Sequence, residues 1–288
     1  LDILVDGEMR RLDFNLGFYG RIEGIEQLPQ DRMLGPAGHD QRGKWRVVGD
    51  LSIPDGLGVV EEFQALVSIA DRPVKACVPG PFTLSGRLDL NGRYGSRIDA
   101  AWALQPGVSA ELERLVAAGA DFIYVDEPSI AVYPQFLKET IALFNKTVEG
   151  IDARIGTHLC FGNFRGRPVA HRTYAPLVPA VLDLAVEELS LEFANREMAE
   201  IDLLPALVER TDLTIAAGVI DVKNYWCEPA DVVADRIRAL LNVVPVEQLA
   251  VTPDCGMSQT ARWAAQRKLE AMVAGTKIVR HELSGKTT

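Results

Sequence analysis

Four residues of this chain, His158, Cys160, Glu192 and Cys255, together offer one imidazole, two thiols and one carboxylate. Nitrogen and thiolate sulfur suit zinc. His158 and Cys160 close a short strand-like run at 154–157. Side chains two apart on an extended chain share a face, so both reach one ion. Glu192 follows Leu189-Ser190-Leu191, and Cys255 ends the run 249–254. Singly, each of these residues reads more readily as core or hydrogen-bonded filler than as a metal ligand. Their convergence carries the signal, because in a parallel barrel all strand ends open on one face.

Such a site would activate a thiol. A free thiol of pKa about 8.5 is only a few per cent thiolate at neutral pH, and coordination to zinc deprotonates it. Two thiolates and a carboxylate over-neutralise Zn²⁺, which keeps a bound substrate sulfur electron-rich. Four protein ligands normally mark a closed site, so one must yield or the shell must expand. Glu192 is expected to yield, since its hard oxygen suits the ion least.

Further residues stand at other strand ends. Asp126-Glu127-Pro128 follows the apolar run Phe122-Ile123-Tyr124-Val125. A carboxylate there needs a partner: either Asp126 receives a substrate ammonium group, or it caps a loop. Glu8, in Asp6-Gly7-Glu8, is a second acid for such a clamp or a charged loop residue. Lys223, just past 213–221, donates a proton, holds an anion or is merely solvated. Arg165, Arg167, His171 and Arg172 form a basic loop that either grips a carboxylate, sulfonate or phosphate or faces solvent. Cys77 and Cys227 read as structural, and His39 and His281 have no informative context.

The elements that position these residues alternate. Candidate strands lie at 45–50, 74–78, 122–126, 154–160, 188–192, 213–221 and 249–254. Helical patterns lie at 58–70, 97–118 (interrupted at Pro106), 135–148, 174–184, 198–209, 230–243 and 260–280. Buried strands alternating with helices imply parallel pairing and an α/β class. A single TIM-type (β/α)8 barrel over 1–288 is favoured over a doubly wound sheet, because no G-x-G-x-x-G opens a helix. Seven strands are one short of closure, so a first strand upstream of Leu1 is expected, with 45–50 as the second. Residues 1–45 are expected as a loop or hairpin region at the barrel mouth, with a mobile run at 35–43.

Composition narrows the class. With 48% hydrophobic and 24% charged residues, the chain is an ordinary globular one. Its net charge of −10 argues against nucleic acid and anionic membranes. No apolar run reaches the roughly 18 residues of a membrane span. Four cysteines do not make a disulfide framework; a reducing cytoplasm is expected.

The ordered segments Val5-Asp6-Gly7-Glu8, Tyr124-Val125-Asp126-Glu127-Pro128, His158-Leu159-Cys160, 189–192 and Thr252-Pro253-Asp254-Cys255-Gly256 resemble the catalytic barrel of cobalamin-independent methionine synthase. The resemblance implies zinc on His158, Cys160, Glu192 and Cys255. It also implies that Glu8 and Asp126 contact the amino group of homocysteine. The full enzyme of that family is a double barrel, whereas this chain has room for the catalytic one alone. Two positions depart from the family pattern. Lys223 stands where a histidine serves as proton shuttle, and Arg87 stands where an aromatic residue stacks on the folate pterin. The expected activity is zinc-dependent transfer of a methyl or alkyl group to a small thiol, homocysteine first. The donor is a folate or a corrinoid protein. The alternatives are epoxide opening by coenzyme M, a metal-free barrel related to uroporphyrinogen decarboxylase, and a non-catalytic scaffold.

Overall fold

The computed structural model describes residues 1–11, 14–29, 44–163, 166–258 and 260–285. The expected mobile run at 35–43 and Arg165 lie outside them. The chain forms two compact units: residues 2–127 with 138–153, and residues 128–137 with the chain from 154 onward and Leu1.

The first unit opens with β1 (Glu23–Gln27), β2 (Trp45–Ser52), α1 (Val59–Val67), β3 (Ala76–Pro79), α2 (Pro81–Leu84) and β4 (Leu88–Asp89). It continues with α3 (Arg97–Ala117) and β5 (Phe122–Asp126). The chain then passes through α4 (Pro128–Val132) of the second unit and returns in α5 (Leu137–Val148).

Strands β3 and β5 run parallel, from Ala76↔Ile123 to Pro79↔Asp126. On the other side of the β3 segment, Leu4 forms a parallel bridge with Val74. Its N–H donates to the Pro73 carbonyl and its carbonyl accepts from Lys75, both at 2.9 Å. Opposite β5, the neighbour of the 74–78 strand is therefore Leu4, from the segment expected as loop or hairpin. The run expected as second strand instead forms a separate sheet. There β2 pairs antiparallel with β1 and parallel with β4. Burial gives the reason. Strand β2 is exposed at alternate positions, as a one-sided sheet requires, whereas β5 is buried almost throughout. The charged residues Arg46 and Asp50 already carried that distinction.

Helix α3 starts at Ser96, whose Oγ accepts the Asp99 N–H at 3.2 Å. It runs through Pro106, where a break was expected. Proline in a helix interior costs about 3 kcal/mol. Burial of Leu104, Val108, Leu112 and Leu115 offsets this, at about 1.5–3 kcal/mol each. The next residue, Gly107, lets the helix rest on Ile53: a Cβ there would lie 2.5 Å from the Ile53 Cβ.

Two buried carboxylates from distant positions cap helices that lack caps of their own. Glu111 accepts the N–H groups of Leu57 at 3.0 Å and Val59 at 2.7 Å, where α1 starts after Gly58. Glu127 accepts the N–H groups of Phe82 at 2.8 Å and Thr83 at 3.0 Å, and the Thr83 hydroxyl at 2.7 Å. Burial pushes the Glu127 carboxyl up to about 7, and these hydrogen bonds limit the rise. The folded state therefore keeps a proton that the unfolded chain releases near pH 4.5. Stability falls as pH rises from there through about 7, by on the order of 3 kcal/mol. Glu127→Gln should flatten that slope. Urea unfolding of both proteins at pH 5 and pH 8 checks it; equal slopes would contradict this account.

The second unit holds β6 (Arg154–Leu159), β7 (Glu188–Leu191), α6 (Leu204–Val208), β8 (Thr214–Ile220), α7 (Ala230–Leu241), β9 (Leu249–Pro253) and α8 (Arg262–Leu283). Its strands pair parallel in the order β6-β7-β8-β9. The helix expected at 174–184 shrinks to a 3₁₀ turn at Ala180–Asp183, because Pro176 and Pro179 withhold two N–H donors. That expected at 198–209 becomes a 3₁₀ turn, Ile201–Leu203, and the short α6. Among the described residues, no helix is long and apolar enough to cross a membrane.

Candidate metal centre

Parallel strands deliver their C-terminal ends to one edge, and there the second unit gathers its chemistry. His158 is the penultimate residue of β6 and Cys160 follows that strand; Glu192 follows β7, and Cys255 lies two residues past β9. The ligand atoms of His158, Cys160 and Cys255 lie within 4.8 Å of one another. The two sulfurs are 3.9 Å apart. Two sulfurs each roughly 2.3 Å from a tetrahedral zinc stand about 3.8 Å apart, so the pair fits such an ion.

The sulfurs share a hydrogen bond that pushes the Cys160 thiol up, aided by burial and by the Glu192 charge. The same bond holds Cys255 down, with His158 and Lys223 adding to the effect. The pair thus titrates as a unit. The His158 Nδ1 lies 3.1 Å from the Ser190 hydroxyl, which orients the ring with Nε2 as the candidate ligand atom.

Glu192, expected as a fourth ligand, lies outside that 4.8 Å group, though its charge is felt at Cys160; it is fully buried and heavily engaged. One of its oxygens accepts the Phe161 N–H at 3.1 Å, and the other accepts the Asn195 amide at 3.1 Å. The second oxygen also forms an ion pair with Lys223. Burial alone would lower the Lys223 pKa, but the Glu192 charge and hydrogen bond, with both cysteines, raise it. Lys223 is thus a weaker acid than an ordinary lysine. It serves here as the cation that balances Glu192.

Two residues that the sequence reading passed over hold this edge together. Asp254 accepts the N–H groups of Phe193 and Ala194 at 2.9 Å and of Asn195 at 2.6 Å. The Asn195 side chain spans from Glu192 to Asp254, at 2.8 Å from the latter. Gly218 leaves room for this: a Cβ there would lie 2.1 Å from the Asp254 Oδ1. An acid directly preceding a candidate ligand, in Pro253-Asp254-Cys255, was the available signal. In the basic loop, Arg172 donates to the Asn195 carbonyl at 3.0 Å and to its side chain at 3.2 Å. It acts as a loop tie.

In the first unit, burial pushes the Glu8 carboxyl up to about 8; Arg11 opposes the shift, while Asp126 and Asp6 add to it. Glu8 also sits at φ 58°, a strained setting for a non-glycine residue and one that clusters at functional sites. Arg11 bridges Glu8 at 2.9 Å and Glu62 at 2.7 Å. Cys77 is half-buried in β3, and desolvation of its thiol pushes it well up.

The family described as "Cobalamin-independent synthase, Catalytic domain" matches residues 1–278. The chain belongs to that family. Among its relatives, the methionine synthase of Thermococcus kodakarensis is 31% identical over 291 residues, covering 100% of this chain and 81% of the relative. That of Saccharolobus solfataricus is 30% identical over 287 residues, covering 99% and 81%. A B12-independent methionine synthase from a Shewanella species, solved with selenomethionine, superposes with a TM-score of 0.85 at 28% identity. That match covers 99% of this chain and 84% of the other. The likeness agrees with the expected α/β class of parallel strands and helices. The family match spans all four candidate ligands and Lys223, Glu8 and Asp126.

Proposed function

We propose that this member of the family is a zinc-dependent methyltransferase that methylates the thiol of homocysteine to give methionine. The observation that carries the reading is the His158–Cys160–Cys255 cluster at three parallel strand ends, with Glu192 buried beside it. Zinc, when bound, supplies the Lewis acidity that turns an incoming thiol into a thiolate. His158, Cys160, Glu192 and Cys255 would hold it, and Ser190 and Asn195 orient them. Glu192 is the ligand best able to yield, because Lys223 already offers its carboxylate another charged partner. Glu8 and Asp126 are assigned to the substrate ammonium group. Their mutual repulsion favours an added cation, and the family resemblance supports the assignment. Two reduced thiols this close suit a reducing compartment such as the cytoplasm.

The donor is assigned by what the chain lacks at two positions. The only aromatic residue of the 80–87 run, Phe82, is fully buried, with the Arg97 guanidinium 4.0 Å from its ring centre. It offers no stacking face to a pterin. Lys223 is too weak an acid to protonate a departing folate amine. We therefore assign a corrinoid-bound methyl group as donor. Zinc-loaded protein should form methionine from homocysteine and methylcobalamin. Turnover with free methyltetrahydrofolate should be lower by on the order of 10²-fold, the low end of what general acid catalysis contributes. Comparable rates would overturn the donor assignment. Alkylation of coenzyme M with no methylation of homocysteine would overturn the thiol assignment.

A further inference from the structure

The segment that ends the basic loop has a role beyond charge. Tyr174, 3% exposed, projects its hydroxyl between the two strand ends that carry candidate ligands. The hydroxyl donates to the Leu159 carbonyl at 2.9 Å and accepts the Glu192 N–H at 2.9 Å. Leu159 lies between His158 and Cys160, and the β6–β7 register ends at Leu159↔Leu191. One oxygen atom thus ties the backbone of the His-Leu-Cys motif to the backbone of Glu192, just where the strand pairing stops.

The ring that carries this hydroxyl is itself fixed. It packs against Phe161 and Phe193, with ring centres 4.6 and 5.9 Å away. Its backbone N–H donates to Glu200 at 2.9 Å, and the Thr173 hydroxyl donates to the other Glu200 oxygen at 2.5 Å. Arg196 pairs with Glu200 and lies over both the Phe161 and Tyr174 rings, 5.3 and 5.4 Å from their centres. A side chain held at its ring, its backbone and its tip has no freedom to serve as a mobile acid. It is built as a spacer.

We propose that Tyr174 is a positioning residue for the metal centre, its hydroxyl setting the distance between the His158–Cys160 pair and Glu192. This rests on the metal-site reading above. Supporting groups of this kind typically govern metal affinity by 10–100-fold. Losing the hydroxyl frees the Glu192 backbone while leaving every candidate ligand chemically intact.

The test uses the full chain, with Co²⁺ and Zn²⁺ affinity measured by competition against a chromophoric chelator. Tyr174→Phe keeps the ring packing and should weaken both metals by roughly 10–100-fold, with altered cobalt absorption bands. In a Glu192→Gln background the same change should have little further effect, because the spacer acts through Glu192. Wild-type affinity and spectrum in Tyr174→Phe would overturn the proposal. So would full additivity with Glu192→Gln. If Tyr174→Phe does not fold, Glu200→Gln loosens the segment without touching the hydroxyl. It should still lower affinity several-fold, and unchanged affinity there would also overturn the proposal. A wild-type chain that binds neither metal would refute the metal site itself, an outcome distinct from metal binding that ignores Tyr174.

Discussion

Cys255→Ser should abolish methyl transfer to homocysteine and take zinc from the expected one per chain to a trace after dialysis against a chelator. The expectation follows from the sulfur pair. The Cys255 thiol is held low by its hydrogen bond to Cys160 and by His158 and Lys223. A serine hydroxyl at that point does not ionise near neutral pH and is a far poorer zinc ligand than a thiolate. The loss should exceed the 10–100-fold that changes in supporting residues produce. Cys160→Ser should behave alike, because a tetrahedral ion needs both sulfurs of the 3.9 Å pair. Elemental analysis of dialysed protein, alongside the methionine assay, reads both effects. If metal-stripped protein or either serine variant retained full activity, sulfur activation at this site would be the wrong chemistry.

Glu228→Ala should destabilise the chain by about 3–5 kcal/mol, the usual penalty for removing one partner of a buried ion pair. The Lys268 side chain is wholly buried, as is that of Glu228, and the two meet at 2.9 Å. The other Glu228 oxygen accepts Arg236 at 3.1 Å and the Asp221 N–H at 2.8 Å. Lys268 also donates to the Trp226 carbonyl. This cluster therefore anchors both ends of the loop 221–228, on which Lys223 reaches Glu192. Replacing Glu228 by Leu together with Lys268 by Met removes both charges and should recover part of the stability. Yet methyl transfer should stay impaired, because the loop loses its anchors in either case. Denaturant unfolding and the methionine assay separate the two effects. A Glu228→Ala chain as stable as the parent would refute the account.

Much of the metal edge was legible because its signals are local. His158 and Cys160 share a strand face by spacing alone, and the strand-end placement of Glu192 and Cys255 follows from apolar runs of known length. What escaped the sequence depends on residues far apart in the chain. Asp254 looks like any loop acid until the Phe193–Asn195 backbone is wrapped around it, and nothing around Glu127 in the sequence marks it as the cap of α2. Strand 45–50 was misplaced because β-branched runs mark strands without naming the sheet they join. Leu4 was missed because one short bridge has no periodicity. Pro106 misled for the opposite reason, since a local penalty was outweighed by burial along the whole of α3.

The division of the chain into two units separates two kinds of decision. Every candidate metal ligand, with Lys223, Asp254 and Tyr174, belongs to the unit that holds the chain from 154 onward, while Glu8, Asp126 and Arg87 belong to the other. On the proposed assignments, mutation in the first unit alters what is bound, and mutation in the second alters how sulfur is made reactive. On that reading a lineage is free to exchange thiols by drift in the first unit, with the sulfur chemistry inherited unchanged.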